Sequence, residues 1–460
     1  MTTEVKWGTR QWRDHRGSGA AGGGYGPAGT GYGHARRGWL RELEHPGQAF
    51  SNLTPNWFAS VMGTAIVAVA GVGLPVGVAS TTGWRGVAVG VWALAALLLV
   101  ILLAATAVHW ARYRETARGH ALDPVVSHFY GAPPMAMLAV GAATVLVGRD
   151  VIGLRAAVDA DWVLWAAGTI TGLLSATAVP YLMFTRHEVR EGSAFGGWLM
   201  SVVPPMVSAS TGALLIPYTA AGQARLTLLV GCYAMFGMSL IASVVIITLI
   251  WQRLAVHKVG APRMVPALWI VLGPLGQSVT AANLLGGVAH LALPGSYGVA
   301  LRDFGLVYGV PVWGFAVLWA MLALAVTVRT ASGRGMAGAA STVGERLPFS
   351  LTWWSFTFPV GTCVTGTSAL AADTGADALR VAALIWFAGL VGAWLVVAVR
   401  TGRGVASGAL LKPPPAMPAV IPTAVSMAAA AAAAERSAVN RADGPEVVMA
   451  GQRGSKRSLP

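Results

Sequence analysis

The sequence predicts an all-α integral membrane protein whose ten transmembrane helices pair as five helical hairpins. Three observations carry that expectation. Of 460 residues, 55% are hydrophobic and only 11% are charged, against about 25% charged in an average soluble domain. The charges divide the chain into long uncharged apolar stretches, ten of which approach or exceed the roughly 20 residues a helix needs to cross the hydrocarbon. Prolines, finally, concentrate in alternate members of that series.

The stretches begin near Leu53, Gly86, Pro124, Trp162, Gly192, Leu226, Met264, Phe304, Leu347 and Val381. Their helical cores are expected at 54–74, 86–109, 124–147, 162–184, 196–218, 226–251, 264–292, 304–328, 348–372 and 380–399. Span one starts at Pro55 and exits at Pro75, and span two has no proline and reaches Trp110. Span three carries Pro133 and Pro134; span four runs from Trp162, with Pro180 near its end. Span five holds Pro204 and Pro205, whereas span six has no proline and ends at Trp251. Span seven carries Pro274, span eight has Pro311 in its first turns, span nine carries Pro359, and span ten has none. Tryptophans near several of these ends fit interfacial anchoring.

Residues 51–400 therefore form the membrane domain, flanked by basic tails at 1–50 and 401–460. The first tail is Gly-rich and the second Pro- and Ala-rich, and both are expected to be disordered. Five prolines in 413–434 argue against an eleventh span. About 50 polar residues precede the first apolar run, which does not fit a cleaved signal peptide.

Placing both termini in the cytoplasm puts 26 of the 32 Lys and Arg residues on that side, as the positive-inside bias requires. The net charge of +14 then faces anionic lipid, and nucleic-acid binding is not needed to explain it. Cys232 and Cys363 both lie in apolar runs, so neither a disulfide framework nor a cysteine metal site is expected. No cofactor and no metal are implied.

Proline within a helix frees a backbone carbonyl, which lipid cannot satisfy. The proline-bearing odd spans are therefore expected inside, around a central pore, with the even spans outside. Pro133, Pro134, Pro204, Pro205, Pro274 and Pro359 are the expected pore kinks. Candidate lining residues are Ser60 and Thr64 in span one, Ser201 and Ser208 in span five, Gln277 and Thr280 in span seven, and Thr357, Gly361 and Thr365 in span nine. Small and hydroxylated stripes also serve close helix packing. Span four has such a stripe, Thr169, Gly172 and Ser175, so proline placement is what favours a pore.

No Asp, Glu, Lys or Arg falls in the middle of an expected span, which removes a cation ring or a fixed-charge proton relay. Hydroxyls, amides and kinked backbone can offer donors to a small anion without holding it tightly, and they would also suit a neutral solute. His128 and His290 are the two candidates for proton coupling; an interfacial or packing role is the alternative for each. An enzyme is not expected, since no interfacial cluster of His or acidic residues is present. A structural or sensory protein that recruits partners through its tails is a further class.

The segments NLTPNWFASVMGTAIV (52–67), GPLGQSVTAANLLG (273–286) and LTWWSFTFPVGT (351–362) carry a resemblance. The chain resembles the tellurite-resistance/dicarboxylate transporter family, with its plant slow anion channels, fungal malate permeases and sulfite exporters. The likeness covers roughly residues 50–400, and Ala65 departs from the Gly that related sequences often have there. The resemblance implies a plasma-membrane anion pathway for malate-like dicarboxylates, sulfite or inorganic anions. A proton-coupled dicarboxylate carrier or a sulfite or tellurite efflux protein on the same fold is the alternative. It also implies a homotrimer and a phenylalanine from span nine plugging each pore, which falls on Phe358. Phe356 competes, since two residues along a helix is about 200° around.

Overall fold

The computed structural model describes residues 39–43, 45–77, 81–333 and 347–412. Most of the two tails, at 1–38 and 413–460, lies outside the described residues. Among the described residues the chain is helical throughout and has no strand. Eight helices are long and apolar enough to cross a membrane.

Those eight divide into two classes by burial. Pro55–Val72, Val126–Ile152 and Pro262–Ala289 are 83%, 72% and 83% buried over their most apolar windows. Thr82–Arg112 (α2), Leu154–Thr185 (α6), Gln223–His257 (α9), Ser296–Ala331 (α11) and Asp377–Ser407 (α13) are only 17–33% buried. These five expose Leu, Ile, Val and Phe side chains such as Val100, Ile170, Phe184, Ile241, Val307 and Ile385, as lipid-facing helices do.

The expected spans five and nine are broken rather than continuous. Span five is Gly197–Val202 (α7) followed by Pro204–Leu215 (α8), and span nine is a 3-10 turn at Leu351–Phe356 followed by Phe358–Thr374 (α12). The same construction recurs in the other buried segments. Pro55–Trp57 leads into Phe58–Val72 (α1), Val126–Gly131 leads into Ala132–Ala143 (α4), and Pro262–Val271 leads into Leu272–Ala289 (α10), each lead-in being 3-10 helix. Between α2 and α4 runs the short Arg114–Leu122 (α3), and α4 passes through a π-helical turn at Thr144–Gly148 into Arg149–Ile152 (α5).

This corrects the role assigned to the prolines. Pro133, Pro134, Pro204, Pro205, Pro274 and Pro359 are not kinks within continuous α-helices; each sits in the first turn of a fresh one. There the missing N–H costs nothing, because first-turn N–H groups have no intrahelical acceptor. Each proline marks where α-helical winding begins.

The buried segments contact one another in a closed cycle: α1 with α4, α4 with α8, α8 with α10, α10 with α12, and α12 with α1. Each also packs along the helix that follows it, α1 on α2, α4 on α6, α8 on α9, α10 on α11 and α12 on α13. Glycine makes the closest of these approaches possible. A β carbon on Gly131 would overlap the carbonyl of Met200, and one on Gly361 would overlap Ile66.

The last helix continues to Ser407, past the expected limit at 400. Residues 39–43 fasten to its end: the Leu40 N–H donates to Ala406 O (2.8 Å) and the Glu42 N–H to Ser407 O (3.0 Å). Lys412 pairs with Glu42 at 3.1 Å.

Candidate functional site

Residues from the five buried segments meet at one place. A cavity of about 20 Å³ is lined by Met62 of α1, Met135 of α4, Leu199, Met200 and Val203 at the α7–α8 break, Ile270, Gly273 and Pro274 at the start of α10, and Phe358 and Pro359 at the start of α12. Every lining residue is apolar, and the space is about that of one water molecule. Phe358 is the first residue of α12 and is 3% exposed. Phe356 is elsewhere, in an aromatic cluster with Trp269 (centroids 5.4 Å apart) and Trp353 (5.6 Å).

The backbone around Phe358 is held by side chains on both sides. Thr357 is fully buried and donates to Trp354 O at 2.6 Å. Trp354 Nε1 donates to Thr401 Oγ1 of α13 at 3.1 Å, while Thr362 donates to Pro359 O at 2.7 Å and Gly273 O at 3.3 Å. The α12 restart is thereby tied to α13 and to α10.

The expected lining residues separate into two groups. Gln277, Thr280 and Thr365 join inner helices: Gln277 Nε2 donates to Ser210 Oγ of α8, and the Thr280 and Thr365 hydroxyls are 2.7 Å apart. Thr365 lies seven residues beyond Phe358, about 10 Å along the helix, and it is one of the few residues of α12 that is not buried. Ser210 was missed because it stands about 200° around the helix from Ser208 and so falls off the stripe formed by Ser201, Ser208 and Thr211.

The second group is occupied by helix contacts. Thr64 accepts from Trp394 Nε1 of α13 at 3.1 Å. Ser60 donates to Trp57 O at 2.7 Å, and Ser208 to Pro204 O at 3.2 Å. Gly361 faces Ile66, and Thr357 faces Gly63. Ser201 donates to Trp198 O at 3.0 Å, with its oxygen 3.5 Å from His128 Nδ1.

The two histidines differ sharply. His128 is 2% exposed, stacks on Trp198 (centroids 6.0 Å, 25°) and leaves Nε2 without a partner. It lies on the lead-in to α4, one turn before Gly131, whose backbone abuts Met200 of the cavity wall. His290 caps the C-terminal end of α10 and is exposed, far in sequence from the breaks.

One acidic residue lies inside a helix that starts earlier than expected. Helix α6 begins at Leu154, well before the expected start at 162, and so takes Asp161 into a membrane-crossing segment, fully buried. The sequence did hold a signal for it. Asp161, Gly168, Gly172 and Ser175 follow three-, four- and seven-residue steps, and all four are buried on one face of α6.

Among the described residues no group of three or more His, Cys, Asp or Glu side chains could hold a metal ion. The Gln277–Ser210 and Thr280–Thr365 contacts put amide and hydroxyl groups further along α10 and α12 than the residues that line the apolar cavity.

The family model of the voltage-dependent anion channel (SLAC1) matches residues 52–402. An uncharacterized transporter of Methanocaldococcus jannaschii is 25% identical over 331 residues, 71% of this chain and 85% of the relative. The sulfite efflux pump SSU1 of Arthroderma otae is 25% identical over 355 residues, 76% of this chain and 90% of the relative. That of Trichophyton rubrum is 26% identical over 326 residues, 70% and 82%. With the match running through all five lead-in and restart segments, the chain is a multi-pass membrane protein that belongs to the voltage-dependent anion channel family.

Proposed function

We propose that the chain is an anion conduit of the plasma membrane in which ten membrane-crossing segments form five hairpins and Phe358 closes the path between them. In this reading α1, α4, α7–α8, α10 and α12 with their lead-ins surround the path, and α2, α6, α9, α11 and α13 face lipid. The observation that carries it is that residues from all five inner segments line one apolar cavity together with Phe358. An anion at this constriction would lose water without gaining a donor, which is a barrier. Past it, Gln277, Ser210, Thr280 and Thr365 offer polar groups, and weak multi-site binding favours passage over retention.

Both termini lie in the cytoplasm in this reading, supported by the bias of basic residues, and residues 51–400 act as the transport domain. The family likeness supports a homotrimer. Sulfite is the first anion to test, because relatives covering most of this chain carry sulfite efflux in their names.

A second reading, proton-linked carriage, is favoured by one observation: His128 is buried beside Ser201 near the cavity wall with an unpartnered ring nitrogen. Purified protein in proteoliposomes, assayed with sulfite, chloride, nitrate and malate with and without a pH gradient, separates these readings. Flux that does not require the gradient is expected. Flux of every anion at the level of empty vesicles would overturn the proposal, and flux that requires the gradient and is lost in H128N would favour the second reading.

A further inference from the structure

Asp161 has surroundings unlike those of any other acidic side chain among the described residues. It is fully buried, and neither carboxyl oxygen has a hydrogen-bond partner. Its Oδ1 packs directly on Gly141 of α4, where a β carbon would overlap it. One turn either side of it on the same face of α6 are Val158 and Trp165, which belong to an apolar cluster with Val145 and Leu215.

No cation faces it. On the elements packed against α6, namely α4, the π-helical turn, α7 and α8, there is no titratable side chain. On α5, Arg149 and Asp150 are exposed, and Asp150 accepts from Arg85 Nε at 2.9 Å. The lead-in to α4 carries His128 and Tyr130, but His128 stacks on Trp198 of α7. Within α6 itself Arg155, Asp159 and Tyr181 are exposed. On α9, Arg225 donates to Thr219 O and Leu291 O.

A carboxylate in such surroundings bears the whole desolvation penalty of an unpaired charge, whereas a neutral carboxyl bears only that of an ordinary polar group. The arrangement therefore holds a proton. Gly141 precedes the π-helical turn at Thr144–Gly148, and π turns can be taken up or released as a helix shifts along its neighbours. Toward the other end of α4, Met135 lines the cavity beside Phe358.

We propose that Asp161 is a proton-binding site whose neutral carboxyl seats α4 against α6 with the constriction closed, and whose ionisation unseats α4 and raises anion flux. The flux part rests on the conduit reading above; the proton site does not. The site takes one proton per chain.

Infrared spectroscopy on the reconstituted full chain tests the site directly. At neutral pH a protonated-carboxyl C=O band is expected in the wild type, absent from D161N, and it should disappear on alkalinisation. G141A, which crowds Oδ1, should shift that band, giving a second assignment if D161N folds poorly. Absence of the band at neutral pH in the wild type would overturn the proposal. In flux assays the wild type should pass anions at least about fivefold faster at alkaline than at neutral pH, a modest coupling between sites. D161N should stay at the low level throughout. An identical pH profile in both proteins would overturn the link to the constriction. A titrating band in a protein that passes no anion would instead leave the proton site standing and remove the conduit reading.

Discussion

Gly63 of α1 and Thr357, the residue before Phe358, are in contact so close that a β carbon on Gly63 would overlap Thr357 Oγ1 and come within 2.8 Å of Trp354 Cε3. Helix α1 therefore fixes the backbone from which the Phe358 ring projects. Replacing Gly63 by Ala should cost about 1–3 kcal/mol, as overpacking of a well-filled site does. Because the strain falls on Thr357, basal anion flux should rise as well. Thermal melting of the purified protein and proteoliposome flux measure the two effects; a variant with wild-type values for both would mean that the contact does not position the ring.

Arg400 of α13 lies over Trp353, 4.8 Å from the ring centroid, and 5.7 Å from that of Phe349. It anchors the 3-10 turn that leads to Phe358. Arg400→Met keeps much of the stem and removes the charge, and it should lower stability by about 0.5–1 kcal/mol, read as a drop in melting temperature.

Gln277 and Ser210 join α10 to α8. Gln277→Leu removes this bond while the Ser210 hydroxyl still donates to Val207 O at 2.9 Å, a loss of about 0.5–1.5 kcal/mol. In an F358A background, where the constriction is removed, the same change should reduce anion flux, since a donor beyond the constriction is gone. Equal flux in F358A and F358A/Q277L would exclude Gln277 from the path.

A pH effect on stability follows from the histidine pair at the base of α2 and α3. The rings of His109 and His120 stack at 5.5 Å, and they hold Phe50 O (2.7 Å) and Asn52 Oδ1 (3.0 Å) of the segment entering α1. Burial lowers the His120 pKa below its ordinary 6.5, the neighbouring His109 lowers it further, and Asp123 opposes them. The unfolded chain thus takes the proton first as pH falls. Stability is intact above the ordinary histidine value, declines as pH drops through it, and levels off once folded His120 is also protonated. Melting temperature measured from about pH 7.5 to about pH 5 should fall, and His120→Gln should flatten that dependence. An unchanged slope in the variant would remove His120 as its source.

The long outer helices were legible because a run of apolar residues without charge has few alternatives to a membrane span. The inner segments were legible only in part. Proline in an apolar run reads equally as a kink or as a helix restart, and the sequence around Pro204 or Pro359 does not distinguish the two. The structure makes each of them the first turn after a break. Periodicity grouped Gln277, Thr280 and Thr365, which the structure places in contacts between inner helices, and it also grouped Thr64, which accepts from Trp394 of α13. Hydroxyls facing a lumen and hydroxyls facing a neighbouring helix have the same spacing. Asp161 was lost to a boundary: a charged residue at the edge of an apolar run looks like a loop, although its steps to Gly168, Gly172 and Ser175 put it on the buried face.

The central claim is that the Phe358 ring closes an anion path at the point where residues of the five inner segments meet. Its most direct test is sulfite and chloride flux through wild-type and Phe358→Ala protein in proteoliposomes, with melting temperature as the control for folding. Flux in the variant should rise about tenfold or more, equivalent to removing at least about 1.4 kcal/mol of barrier. Wild-type flux from a folded Phe358→Ala protein would contradict it.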